Sequence, residues 1–121
     1  MVVVTRRDLH PGAQASQLTH AAQQFDKEHF DVQNEWYFKS NHLVLLTCEN
    51  EESLKNLLVK AQIKGIKCSA FTEPDLDNQL TAVTFEPCED TCKLVSNLPL
   101  AFKEYTTAFK QLHGEEVSNG N

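Results

Sequence analysis

Residues 2–22 read VVVTRRDLHPGAQASQLTHAA and combine three local signals. The β-branched run from Val2 to Arg6 predicts a short buried strand. Pro11 and Gly12 then indicate a turn. From residue 14 to about residue 29, apolar or small side chains recur at intervals of three and four, which is typical of an amphipathic helix. The stretch therefore predicts a strand, a loop and a helix that packs against a sheet.

The rest of the chain continues this alternation of strands and helices. Short apolar runs predict further strands at residues 42–48, 66–72 and 80–85. Helical periodicity and capping residues predict helices at residues 50–65, 90–96 and 98–112. Asn50 and Gly65 are expected to cap the first of these helices. The aromatic segment 30–41 has no clear period and is assigned neither a helix nor a strand.

The order of these elements predicts an α/β fold with a three-layer α/β/α arrangement. Residues 74–78 are too few for a helical crossover, so the third and fourth strands should form an antiparallel hairpin. The four-stranded sheet is expected to be mixed, with helices on both faces. Right-handed crossovers would bring the loop after the first strand near the exit of the third. Open sheets bind ligands at such a place.

The chain has 121 residues, which suits one hydrophobic core. A single domain is predicted for residues 1–113, followed by a flexible C-terminal tail at residues 114–121. The sequence shows no export signal and no apolar stretch near the roughly 18 residues that cross a bilayer. We therefore expect a cytoplasmic protein with no membrane partner. Its four cysteines are expected to be reduced, with Cys48 and Cys68 packed as small hydrophobes.

The formal net charge of -6 opposes generic binding to nucleic acid, because Lys and Arg supply most of the non-specific affinity for phosphates. The distribution of charge matters more than its total, however. Glu115 and Glu116 fall in the predicted tail. Six basic residues could still gather on one face of the fold: Arg6, Arg7, Lys39, Lys60, Lys64 and Lys67.

A specific motif lies within residues 6–22. Its members are Arg6, Asp8, Leu9, Gly12, Gln17 and His20, followed by Ala21 and Ala22. Gln17 and His20 lie three residues apart and share a helix face. The motif resembles the R-x-D-L-x-x-G … A-x-Q-x-x-H-A-A signature of the archaeal-eukaryotic type (type II) peptidyl-tRNA hydrolases, which cleave the ester between a peptide and its tRNA. Strand order, Glu73-Pro74 and Thr81 extend the likeness over roughly residues 2–104.

The resemblance implies a cofactor-independent hydrolase that acts on the acceptor end of peptidyl-tRNA and that forms a homodimer. It implies that Glu73 is a general base and that His20 and Thr81 orient water or donate a proton. The residues that it implicates in orienting these groups or the substrate are Arg6, Asp8 and Gln17. From the residues alone, Asp8 could instead cap the turn after the first strand.

Two positions depart from the family pattern. The lysine that usually follows the glycine turn has no counterpart, and Ala13 stands nearest to its place. The family's Asp-Ala-Gly-x-Thr-Gln loop is replaced by EPDLDNQ at residues 73–79, so Glu73 stands in the place of the aspartate. The chain thus resembles a divergent branch without the lysine. A non-catalytic module that binds the tRNA end or a protein is the alternative hypothesis.

Other chemistries have weaker signals in this sequence. Cys88 and Cys92 have no second pair of Cys or His residues at zinc-ligand spacing. No glycine-rich pattern of the kind that cradles phosphates is present. We therefore predict neither a metal site nor a cofactor.

Overall fold

Four strands form one mixed sheet in the computed structural model, which describes residues 1–114. They are β1 (Val2–Arg6), β2 (Val44–Cys48), β3 (Cys68–Glu73) and β4 (Gln79–Phe85). Their order is β2-β1-β4-β3, in which β1 runs parallel to β2 and antiparallel to β4. β3 and β4 are antiparallel. The predicted mixed sheet and its hairpin are therefore confirmed.

Helices cover both faces of the sheet. The α-helices of residues 1–114 are α1 (Pro11–Glu28), α2 (Phe30–Lys39), α3 (Glu51–Ile63), α4 (Glu89–Leu94) and α5 (Lys103–His113), and of these α1 and α3 make the main contacts with the strands. Leu18 of α1 shares a buried cluster with Val3, whereas Leu54 of α3 shares a second cluster with Val4. Val3 and Val4 are neighbours in β1 and therefore point to opposite faces. This arrangement confirms the three-layer prediction.

Side-chain caps start the two helices that flank the sheet. His10 Nδ1 accepts a hydrogen bond from the Ala13 N–H at 3.2 Å, and Pro11 occupies the first turn of α1. Because the fixed φ of proline suits that position, α1 begins before its predicted start. Asn50 Oδ1 accepts from the Ser53 N–H at 3.0 Å, which confirms the predicted cap of α3.

Segment 30–41, to which the sequence assigns no element, contains helix α2. No residue of α2 is fully buried. A helix whose residues are at most half-buried needs no continuous apolar stripe, so the periodicity that marks α1 and α3 is missing here. Trp36, in the last turns of α2, donates a hydrogen bond from its Nε1 to the His42 carbonyl at 2.8 Å. This bond fixes α2 to the loop before β2.

Residues 98–102, predicted to be helical, instead run beside β2. The Thr47 N–H donates to the Pro99 carbonyl at 3.0 Å, and the Ala101 N–H donates to the Leu45 carbonyl at 2.8 Å. β2 is an edge strand, and its open backbone groups supply the hydrogen bonds that a helix would otherwise supply. The last helix, α5, therefore begins at Lys103 and not at residue 98.

The cysteines are free, as predicted. Cys48 is buried at the end of β2, and burial raises the pKa of its thiol to about 11. Burial also raises the pKa of Cys68, which is half-buried. Since the thiolate is the nucleophile, Cys48 is inert near neutral pH. Cys92 is the exposed thiol.

We expect Cys92 to react quickly with iodoacetamide in the native protein, whereas Cys48 should react only after unfolding. Peptide mass spectrometry after brief labelling at pH 8 would measure both sites. In a Cys92→Ser variant the fast phase should disappear. Rapid labelling of Cys48 in the folded protein would contradict the buried, protonated thiol.

None of the helices within residues 1–114 is long and apolar enough to cross a bilayer. The predicted tail at residues 114–121 lies, from residue 115 onward, outside the described residues.

One end of the sheet collects the polar side chains of interest. Arg6 and Cys48 are paired at the ends of β1 and β2, and Glu73 at the end of β3 is paired with Gln79 at the start of β4. We call this the carboxyl end of the sheet. The loop after β1 and the exit of β3 meet there, as the strand order predicts.

Candidate active site

Three hydrogen-bonded side chains form a chain at the carboxyl end of the sheet, on the face covered by α1. Thr81 Oγ1 donates to Gln17 Oε1 at 2.6 Å, and Gln17 Nε2 donates to Glu73 Oε1 at 3.0 Å. Thr81 and Gln17 are only 0% and 4% exposed, whereas Glu73 is half-buried. One carboxylate oxygen of Glu73 is thus held in place where the core meets solvent.

A β-bulge turns Thr81 towards α1. The register of the β3–β4 pairing shifts between Phe71 and Thr72, which leaves Thr81 without a partner on β3. Regular alternation would place Thr81 on the α3 face together with Val83, which belongs to the core beneath α3. A bulge redirects a side chain, and here it makes the contact with Gln17 possible.

Charged side chains hold the backbone immediately before the bulge. β1 and β4 pair only as far as Ala82, so Leu80 has no partner on β1. The Glu51 carboxylate accepts from the Leu80 N–H at 2.8 Å, and Arg6 Nη1 donates to the Leu80 carbonyl at 3.2 Å. These two bonds replace the missing ladder bonds and fix the backbone next to Thr81.

Arg6 is buried and forms a bidentate ion pair with Asp8. Its Nε and Nη2 donate to the two carboxylate oxygens at 3.0 and 2.9 Å, and its Nη1 also donates to Gln79 Oε1 at 2.8 Å. The hydrogen bonds from Arg6 hold the pKa of Asp8 below its ordinary value. The same bonds raise the pKa of Arg6. In the structure, both carboxylate oxygens of Asp8 are thus paired with Arg6.

His20 lies apart from both hydrogen-bond networks. Its exposed imidazole stacks on Phe71, with ring centroids 4.7 Å apart and 11° between the ring planes. Within residues 1–114 the ring makes no hydrogen bond, so its nitrogens remain available to a ligand. Phe71 and Glu73 lie on the same face of β3, and His20 and Gln17 share a face of α1.

The six basic residues, which the sequence leaves free to gather on one face, do not form one exposed patch. Arg6 is turned inward, whereas its neighbour Arg7 is exposed. Lys39 pairs with Glu35 at 2.9 Å on α2, and Lys67 precedes β3 at the opposite end of the sheet. Burial withdraws Arg6 from the surface, and Lys60 and Lys67 lie towards opposite ends of the sheet.

Of the six site residues expected from the sequence, the structure joins Gln17, Glu73 and Thr81 in one network and Arg6 with Asp8 in another. Three further residues build the site that were not among the site residues expected from the sequence: Glu51, Phe71 and Gln79. Glu51 is marked in the sequence only as an acid in the first turn of a helix. Its contact with Leu80 depends on the bulge, which no residue pattern indicates.

The site is equipped for acid–base chemistry. It combines a positioned carboxylate, a free imidazole and a buried amide, which are the groups that activate and orient water. Within residues 1–114, no group of three or more His, Cys, Asp or Glu side chains is placed to hold a metal ion.

Comparison with known proteins places the chain in a family. The family model described as Peptidyl-tRNA hydrolase PTH2 matches residues 1–100. This range includes the four strands and each of the site residues named above. A comparison with the curated proteins finds no match. With residues 1–100 of 121 matched, the chain belongs to the peptidyl-tRNA hydrolase PTH2 family.

Proposed function

We propose that this protein hydrolyses the ester bond of peptidyl-tRNA and releases peptide and tRNA. Its family supports that activity. The observation that carries the proposal is the chain from Thr81 through Gln17 to Glu73, because it presents a fixed and partly exposed carboxylate. The proposal includes action in the cytoplasm, and it includes the homodimer that the resemblance implies.

Glu73 acts as the general base. Gln17 holds its Oε1, which leaves Oε2 to accept a proton from water. The water oxygen attacks the ester carbonyl carbon, and the bond between that carbon and the ribose oxygen breaks. The ribose oxygen takes up a proton, so the products are a peptide with a free carboxylate and a tRNA with a free hydroxyl. A positioned base contributes about 10²–10⁴-fold to such a rate.

Thr81 acts as a positioning residue. Its hydroxyl is fully buried and donates a hydrogen bond to Gln17 Oε1, so it positions Gln17 and does not contact the substrate. This donation fixes which end of the Gln17 amide faces Glu73. A flipped amide would direct an oxygen towards the carboxylate and lose the hydrogen bond.

His20 contacts the substrate on the solvent side of the site. Its ring is held by stacking on Phe71, one helical turn along α1 from Gln17. A free ring nitrogen there can orient the attacking water or donate to the oxygen that becomes negative during the attack.

A binding module without catalysis is the second candidate. The observation that favours it is Ala13, which stands nearest to the place of the family's lysine and offers no ionisable side chain. Its N–H is used by the His10 cap of α1. Purified protein should release labelled N-acetylated aminoacyl groups from tRNA at low salt if the first candidate is right. Binding of tRNA with no turnover above buffer would instead support the module.

Replacing Thr81 with Val is expected to lower kcat about tenfold with little change in KM, because the Gln17 amide is no longer oriented. Thr81→Ser should restore most of the rate, since it keeps the hydroxyl. Thr84→Val is the matched control: Thr84 is buried in the same strand, and its hydroxyl has no hydrogen-bond partner within residues 1–114. An equal loss in the control would show that Thr81 matters only for packing.

A further inference from the structure

A cleft lies at the carboxyl end of the sheet, on the face covered by α3. Its volume is about 390 Å³, and its lining includes Arg7, Ser53, Asn56, Lys60, Asn97 and Leu98. None of these residues belongs to the chain that holds Glu73. The cleft follows one face of α3, since Asn56 and Lys60 lie three and seven residues after Ser53.

The walls of the cleft are held by backbone hydrogen bonds. The Arg7 N–H donates to the Cys48 carbonyl at 2.8 Å, which joins the exits of β1 and β2. The Thr47 N–H donates to the Pro99 carbonyl at 3.0 Å, which fixes the segment opposite α3. The cleft is therefore part of the framework of the fold.

Among the described residues, neither of the two cations of the cleft is paired with an acid. Three other helix lysines, Lys39, Lys55 and Lys93, each pair with a glutamate one turn earlier. Arg7 and Lys60 form no ion pair within residues 1–114, and the residue one turn before Lys60 is the neutral Asn56. Glu49 is the acid among the lining residues, so the cleft has a positive balance in a chain of net charge -6.

We propose that this cleft binds the phosphodiester backbone of the unpaired acceptor end of tRNA. The inference rests on the proposed function, and it names the surface that holds the nucleic acid. Arg7 and Lys60 supply the charges that phosphates require, and the amides of Asn56 and Asn97 supply neutral donors.

The apolar part of the lining fits the same ligand. Leu57, Leu98 and Pro99 border the cleft beside its polar groups. Unpaired nucleotides expose sugar and base surfaces next to each phosphate, and proteins that bind such ends use mixed surfaces of this kind. Arg7 directly follows Arg6, which contacts Leu80 beside Thr81, so a strand bound here lies at the same end of the sheet as Glu73.

Binding of fluorescently labelled, deacylated tRNA to two double variants tests the proposal. Arg7→Gln/Lys60→Gln removes both cations of the cleft. Lys64→Gln/Lys67→Gln makes the same change of charge outside it, because neither lysine lines the cleft. The four positions are exposed, so each variant should fold, which thermal melting would check.

We expect the cleft variant to bind tRNA about tenfold more weakly and the control variant to bind within about twofold of the original protein. For the cleft variant, the slope of log affinity against log salt concentration should be shallower by about 1.4, the value expected for the loss of two single-strand phosphate contacts. Equal losses in both variants, or no loss in the cleft variant, would overturn the inference.

Hydrolysis measured on the same proteins separates this inference from the proposed function. If the original protein hydrolyses the substrate and the cleft variant binds tRNA as tightly as the original, the protein is a hydrolase but the cleft does not bind tRNA. If the cleft variant binds tRNA more weakly but the original protein shows no hydrolysis, the cleft assignment is supported and the proposed hydrolase activity is contradicted.

Discussion

Glu73→Gln is expected to lower the rate of peptidyl-tRNA hydrolysis about a hundredfold or more, because it removes the general base and little else. Glutamine has nearly the same size, and its Oε1 can still accept the hydrogen bond that Gln17 Nε2 donates to Glu73. The chain from Thr81 should therefore persist. The loss should appear in kcat, with KM for the tRNA substrate within about twofold.

Asp75→Asn is the matched control for this variant. Asp75 is an exposed carboxylate two residues further along the chain, in the 3₁₀ turn after β3. It makes the same change of charge near the site without touching Gln17, so hydrolysis should remain within about twofold. Single-turnover release of a labelled N-acetylated aminoacyl group would measure both variants. A rate for Glu73→Gln within tenfold of the original would assign the base to another group.

Much of the fold follows from local patterns in the sequence. α1 and α3 each bury one face, and burial imposes the helical period by which they are recognised, whereas β1 is buried on both faces and is recognised by its continuous β-branched run. α2 buries no residue fully, so its sequence carries no such period. The helix prediction for residues 98–102 is wrong for a different reason: the conformation of these residues is set by the open edge of β2, which is far away in the sequence.

The site is less visible in the sequence than the fold. A motif identifies Gln17 and its likeness extends to Glu73 and Thr81, but it does not show that a bulge brings Thr81 onto the α1 face. The partners of Leu80 are similarly hidden. Glu51 lies 29 residues away from Leu80 and Arg6 lies 74 residues away, and contacts over such separations depend on the topology of the sheet.

Arg6→Met is expected to lower the free energy of unfolding by about 3 kcal/mol, because it leaves the buried Leu80 carbonyl without its donor and breaks the bond to Gln79. The paired carboxylate of Asp8 is partly exposed and can be solvated, so the ion pair contributes the smaller part of the loss. The melting temperature should fall by about 10 °C. Arg7→Met, the adjacent and exposed arginine, should stay within about 0.5 kcal/mol of the original protein.

The pH dependence of this loss in unfolding free energy shows how much of it comes from the ion pair between Arg6 and Asp8. The pKa of Asp8 is lower in the folded protein than its ordinary value of 3.8, so the ion pair stabilises the fold above that value. Its contribution disappears as the pH falls through the lowered pKa. The difference in unfolding free energy between the original protein and Arg6→Met should therefore be constant near neutral pH and smaller in strong acid. Urea titrations at several pH values would measure it. A difference that does not shrink in acid would mean that Arg6 stabilises the protein only through Leu80 and Gln79, with Asp8 a bystander on the surface.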